Sequence, residues 1–258
     1  MPSKKNKRHA GTAQPLSEIL FSQGFGSRRE CDGLIHAARV AVDGLVVQDF
    51  DAEFEPAGLM LRVDGVDWPV RERALVLLHK PAGYECSQKP RHHPSVMSLL
   101  PVPLRQRGVQ PIGRLDEETT GLLLLTDDGP LIHKLTHPKR HVPKLYHART
   151  ARPLEPGQID KLLAGVVLRD DPAPVRALAA ARLGDNTLAL TLAEGKYHQA
   201  RRMVAAVGNH VEQLTRVAFG SLALPTDLPE GKWRWITPEE EAALVNPPLA
   251  GHAPEPAA

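Results

Sequence analysis

The chain has 258 residues, of which 42% are hydrophobic and 24% charged, and its formal net charge is +2. This composition excludes wholesale disorder, and the length suits a small domain followed by a medium one. Cys31 and Cys86 are the only cysteines, which excludes a disulfide scaffold and a four-cysteine zinc site. No apolar run nears the ~20 residues that span a bilayer, so no membrane partner is expected and the cytoplasm is the expected compartment.

Residues 1–14 are polar and basic without periodicity and read as a flexible arm. A compact unit is expected over 15–68. Leu16, Ile19 and Leu20 have helical spacing, and Gly24 is placed to stop that helix. Ser27 and Glu30 make a capping box for a second helix with Leu34 and Ile35 on its apolar side. Arg28 and Arg29 stand in its first turn, where cations oppose the helix dipole, which favours a binding role over a stabilising one. Asp43-Gly44, between Arg39-Val-Ala-Val42 and Leu45-Val-Val47, is a two-residue hairpin signal.

Residues 69–73 read as a short charged linker, and 74–244 as a second domain of mixed strands and helices. Its expected strands are 74–79, which closes on Lys80-Pro81-Ala82-Gly83, then 121–126, 144–151 and 187–192, with one or two more over 211–224. Helices are expected at 159–163, at 197–207 with Ala200, Met203, Val204 and Val207 on one face, and after Thr237-Pro238. Strands in that order predict an α+β fold rather than a doubly wound parallel sheet. Residues 245–258, rich in proline and alanine, read as a disordered tail.

Charge is unevenly spread. Residues 86–114 carry Lys89, Arg91, Arg105, Arg107 and Arg114 and no acid. Residues 131–152 carry Lys134, Lys139, Arg140, Lys144, Arg149 and Arg152, again with no acid, and Asp116, Glu117, Glu118, Asp127 and Asp128 lie between. An acidic cluster framed by basic stretches is the pattern of a polyanion-binding surface with chemistry at its centre, although two solvated loops would give the same count. Arg114, Lys134, Lys139, Arg140 and Lys144, by position, join Arg28, Arg29 and Arg39 of the N-terminal unit as candidate contacts to a nucleic-acid backbone.

Gly113-Arg-Leu-Asp116 opens the most informative stretch, which runs through Thr119-Thr120 and Gly121-Leu-Leu-Leu-Leu125 to Asp128-Gly129. It sets Asp116 on a loop directly before a buried strand, a rigid support for a nucleophile or a general acid–base. Taken alone, a loop aspartate more often makes a turn.

Three motifs in order resemble the pseudouridine synthases, in the branch that modifies ribosomal RNA: Gly113-Arg-Leu-Asp116, Lys144-Leu-Tyr146 and Glu194-Gly-Lys-Tyr-His-Gln-Ala-Arg-Arg-Met203. The runs 27–35 and 39–47 resemble an S4-type RNA-binding domain, with Pro15 and Ala38 where that pattern has Arg and Gly. Gly83-Tyr84-Glu-Cys-Ser87 and 205–211 resemble the small-subunit members more than the large-subunit ones, and His79 stands where asparagine is usual. The resemblance implies a small S4-like α/β domain and a catalytic domain on a mainly antiparallel sheet flanked by helices. It implies isomerisation of uridine to pseudouridine in ribosomal RNA, 16S above all, either free or within an assembling small subunit. It further implies a monomer without cofactor, with Asp116 as the catalytic carboxylate, Tyr146 packed on the target base and Arg201 paired with Asp116.

These residue types suit that chemistry. A C–N glycosidic bond is broken and remade as C–C with no net redox change, which asks for no metal or redox group. A carboxylate can act at the ribose C1′ side or remove a ribose proton, and both routes stay open. A neighbouring arginine would hold it ionised. Tyr146 offers a flat face and a hydroxyl that can orient a proton. His198 reads as an orienting or packing residue. Two competing readings exist. A non-catalytic ribosome-assembly factor would need the basic arm and the S4-like domain but not the Asp116–Tyr146–Arg201 set. A metal-dependent phosphoryl enzyme using Asp116, Asp127 and Asp128 lacks a Gly-x-x-x-x-Gly-Lys loop. His133, His137, His141 and His147, interrupted by Pro138 and Pro143, do not make a helical metal face, so no metal is expected.

Overall fold

A computed structural model describes residues 12–49, 51–137, 140–169 and 171–245. The chain divides into two compact units, one formed by the chain up to Ala74 with Leu100–Val109, the other by Leu75–Leu99 and the chain from Gln110 on.

In the first unit, helices Leu16–Ser22 and Arg28–His36 bury Leu16, Ile19, Leu20 and Ile35. The second helix starts where the sequence places it. The Ser27 hydroxyl accepts from the Glu30 N–H, and the Glu30 carboxylate accepts from the Ser27 N–H at 2.6 Å. Strands Leu45–Val46, Val40–Val42, Met60–Val63 and Val66–Pro69 pair antiparallel in that spatial order. Asp43 and Gly44 both have positive φ, as the tight hairpin turn requires. The pair Asp64-Gly65 repeats this conformation and closes the second hairpin, which the sequence reading did not identify.

Three expectations need correction here. Gln14–Pro15 pairs with Glu53–Phe54 as a short strand, so the arm ends earlier than residue 14; residues 1–11 and 246–258 lie outside the described residues. The stretch 69–73 is not an independent linker, because Gln23 brackets Arg71, accepting from its N–H and donating to its carbonyl. Leu100–Val109, with helix Val102–Gln106, belongs to the first unit rather than to a continuous second domain. The reason is local. Arg107 donates to the carbonyls of Arg71 and Glu72 and to the Gln23 side chain at 2.8–3.0 Å. Gly24, at φ +85°, passes so close to Pro103 that a Cβ would lie 2.3 Å from its carbonyl oxygen.

The second unit is built on a sheet whose strands run, from edge to edge, Ala179–Gly184, Thr187–Leu192, Lys144–Thr150, Val211–Phe219, Thr120–Thr126, Leu75–Lys80 and Trp233–Trp235. All these pairs are antiparallel except Val211–Phe219 with Thr120–Thr126. The fold is α+β on a mainly antiparallel sheet. Helices Pro156–Ala164 and Gln199–Ala206 pack into one apolar cluster with Leu188, Leu190 and Leu214; helix Gly129–Thr136 packs into another with Leu77, Leu124 and Phe219. Asp128 caps the latter helix through the Leu131 N–H at 3.0 Å.

Candidate active site

Asp116 lies on a turn closed by the Thr119 N–H donating to the Asp116 carbonyl at 3.0 Å. Beneath that turn is Lys80, the last residue of strand Leu75–Lys80 and 0% exposed. Its ammonium donates to the carbonyls of Pro81, Glu117 and Thr119 at 2.8–2.9 Å. Burial lowers the Lys80 pKa, opposed in part by Glu117 and Asp116. The Leu115 N–H reaches the sulfur of buried Cys86 at 3.5 Å, and the Gly83 N–H donates to the Glu117 carbonyl. A lysine with every proton committed to backbone thus fixes the residues that follow Asp116, Cys86 holds the one before it, and the carboxylate is left half exposed.

Beside this turn, three strands place three residues in register. Gly121 is opposite Arg216, and Arg216 is opposite Tyr146. Gly121 is obligatory: its φ is +105°, and a Cβ there would lie 2.2 Å from the Arg216 carbonyl oxygen. Tyr146 is half-buried against the Leu190–Leu214 cluster. Arg216 is 2% exposed, and its Nε donates to the Leu122 carbonyl at 2.8 Å. Lys144 donates to the Ala193 carbonyl at 3.0 Å; burial, with the Arg216 charge adding to it, pulls its pKa down to about 8.

Arg201 does not pair with Asp116. Its Nη1 donates to the Val211 carbonyl at 2.8 Å, and its Nη2 stands 3.2 Å from a Glu118 carboxylate oxygen. The group that meets Asp116 is His198, whose Nε2 is 3.4 Å from Oδ1. The helix explains the exchange. It begins at Gln199 rather than at 197, because His198 sits in the left-handed conformation at φ +48°, which turns its ring out of the helix. Tyr197, 75% exposed, stacks on that ring with centroids 3.9 Å apart.

The basic candidates are dispersed. Arg28 pairs with Glu18 and lies 4.5 Å above the Phe21 ring, and Arg39 is held by both oxygens of Asp64 at 2.5 and 2.7 Å. Arg29, Arg114 and Arg140 are exposed, and Lys134 is half-buried in the last turn of its helix. Lys139 lies outside the described residues. Lys80, Cys86 and Arg216 were not singled out from sequence. The available signal for Arg216 was a charge at alternate-residue spacing from apolar Leu214 and Ala218, on the face of the strand that the sequence marks as buried. Among the described residues no His/Cys/Asp/Glu group is arranged to hold a metal ion, and no helix is long and apolar enough to cross a membrane.

Residues 74–206 match the family model described as RNA pseudouridylate synthase. The chain is 34% identical to an RNA pseudouridine synthase of Bacillus subtilis over 91% of this chain and 99% of that one. It is 35% identical to ribosomal small subunit pseudouridine synthase A of Vibrio parahaemolyticus over 90% and 99% of the two chains. With ribosomal large subunit pseudouridine synthase B of Escherichia coli it shares 37% identity over 86% of this chain and 78% of the relative. A crystal structure of a pseudouridylate synthase superposes with a TM-score of 0.65 at 31% identity, covering 90% of this chain and 100% of that one.

Proposed function

We propose, for a chain that belongs to the RNA pseudouridylate synthase family, that the substrate is 16S ribosomal RNA and that Asp116 performs the chemistry. Family membership makes the protein an isomerase that converts uridine in RNA to pseudouridine. The observation that carries the assignment of the site is the carboxylate of Asp116 on a turn clamped by buried Lys80, beside the row Gly121–Arg216–Tyr146. Asp116 acts at the ribose, and Tyr146 holds the extruded uracil by its ring face. His198, 3.4 Å from Asp116, orients its carboxylate. Arg201 ties the helix behind His198 to Val211 and Glu118.

The N-terminal unit, read as S4-like, grips RNA through Arg28, Arg29 and Arg39, and the second unit through Arg114, Lys134, Lys139, Arg140 and Lys144. Such contacts position the substrate and offset the cost of base extrusion. The protein works in the cytoplasm as a monomer. The small-subunit assignment is favoured by a relative of that name matched over 99% of its length.

The test is pseudouridine mapping of 16S and 23S RNA, each naked and in assembly intermediates, after incubation with wild type and with Asp116→Ala. One new pseudouridine in 16S RNA, absent with an Asp116→Ala protein that still binds, is the expected result. A new site in 23S RNA instead would overturn the substrate. Modification by Asp116→Ala at the wild-type rate would overturn the role of the carboxylate.

A further inference from the structure

Arg216 is the largest side chain that is fully buried among the described residues. One of its nitrogens is used by the Leu122 carbonyl; its Nη2 is buried with no hydrogen-bond acceptor, and the guanidinium makes no ion pair with a described residue. A guanidinium cannot shed its proton, and an uncompensated buried charge is costly to a fold. The neighbourhood deepens the imbalance. Lys144 supplies a second cation, not a counter-charge, and both cations approach the Phe219 ring, at 5.9 and 5.3 Å. Phe219 offers each of them only a weak partner. Arg216 also lies within electrostatic reach of Cys86, whose sulfur holds the residue before Asp116, and it pairs in register with Tyr146. The positive charge is therefore stored between the carboxylate turn and the aromatic platform.

The reaction generates a negative charge there. As the N1–C1′ bond of uridine breaks, its electron pair stays on the uracil, where the charge spreads from N1 to O2 and O4. The base turns, C5 bonds to C1′, C5 gives up its proton and N1 gains one, so the net change is zero. We propose that Arg216 is a catalytic residue whose Nη2 donates to a carbonyl oxygen of the target uracil and stabilises the charge that the base carries while detached. The inference rests on the pseudouridine synthase reading and on Tyr146 as the base platform. A preorganised donor aimed at developing charge acts most strongly in a water-poor site, which a 2% exposed guanidinium provides. An RNA phosphate offers the same anionic oxygen, but a phosphate contact belongs to binding and not to the chemical step.

The experiment measures single-turnover conversion and RNA affinity for wild type, Arg216→Ala and Arg216→Lys, with thermal unfolding run on each. The expected result is a chemical rate lower by on the order of 10²-fold in Arg216→Ala, with RNA affinity little changed. Arg216→Lys should recover part of that rate. Added guanidinium ion at non-denaturing concentration should restore rate to Arg216→Ala without raising its unfolding temperature, which a structural role would not allow. Weakened affinity with an unchanged chemical rate identifies a phosphate contact and overturns the proposal. An unchanged rate also overturns it. If Arg216→Ala does not fold, Arg216→Lys decides alone: a wild-type rate overturns the proposal, and a reduced rate with intact affinity supports it. A wild type that makes no pseudouridine in any RNA overturns the underlying reading instead.

Discussion

Two lysines in this site do opposite work. Lys80 spends its ammonium on three carbonyls and so sets the turn that carries Asp116. Lys80→Met keeps the apolar stem but leaves those oxygens without a donor. The lost hydrogen bonds outweigh the relief of burying one charge fewer, and a net loss of about 2 kcal/mol is expected, read as a lower urea midpoint. The chemical rate should fall more than RNA affinity, because the carboxylate loses its fixed position; unaltered stability and rate would refute the clamp. Lys144 differs in keeping a titratable charge within the working range, at about 8. Its protonated form is disfavoured by the fold relative to a free lysine at 10.5. Raising pH from 8 towards 10.5 therefore relieves a native-state penalty, and this residue's contribution to stability increases. RNA binding is expected to go the other way, because the cation proposed to meet phosphate is lost above pH 8. Between pH 7 and 9 the slope of log affinity against log salt should shrink by ~0.7, one single-strand contact. Lys144→Met should abolish that change, and a shift that survives in the variant would assign it elsewhere. Asp116 and Tyr146 were legible because their motifs are contiguous. Lys80 and Arg216 were not, since Lys80 ends an apolar run and Arg216 stands in a strand that also holds Glu212 and Gln213, and only the pairing with a neighbouring strand shows what each touches.

At the level of elements, local chemistry was legible wherever a few adjacent residues decide the conformation. Ser27 with Glu30 and Asp43-Gly44 are such cases. The edge strand Ala179–Gly184, whose residues are mostly exposed, carries no apolar alternation to read. The spacing starts helix 197–207 two residues too early because it cannot report the left-handed turn at His198, and that turn brings His198 rather than Arg201 to Asp116. The parallel pairing of Thr120–Thr126 with Val211–Phe219 depends on one glycine for the same kind of reason. Gly121→Ala adds a methyl where the Arg216 backbone already stands and forces an alanine to φ +105°. No flexible side chain is available to yield, so the strands must part. Destabilisation beyond about 3 kcal/mol is expected, with loss of Arg216 and Tyr146 from register and no pseudouridine formed. A thermal unfolding temperature within a few degrees of wild type would show that the pairing tolerates a side chain there.

Over the whole molecule, charge read along the sequence overstated the surface available to RNA. The acid-free stretch 86–114 is divided between the two units, and Arg107 within it is committed to Arg71, Glu72 and Gln23. That commitment also determines what happens when the units are severed. A chain beginning at Leu75 retains Leu100–Val109 but lacks Gln23, Gly24, Arg71 and Glu72, the groups against which it is ordered. Leu104 and Val109, buried in the intact protein, would then face water. The shortened chain should bind a hydrophobic dye, unfold at lower temperature and aggregate, even though its sheet is complete. Replacing residues 100–109 in that chain by a glycine–serine linker of equal length should remove the exposed patch and restore a cooperative transition. If the shortened chain is as stable and as soluble as the full one without that replacement, Leu100–Val109 packs adequately in the absence of the N-terminal unit. If the linker fails to rescue it, the instability arises from the loss of another contribution of the N-terminal unit and not from the orphaned helix.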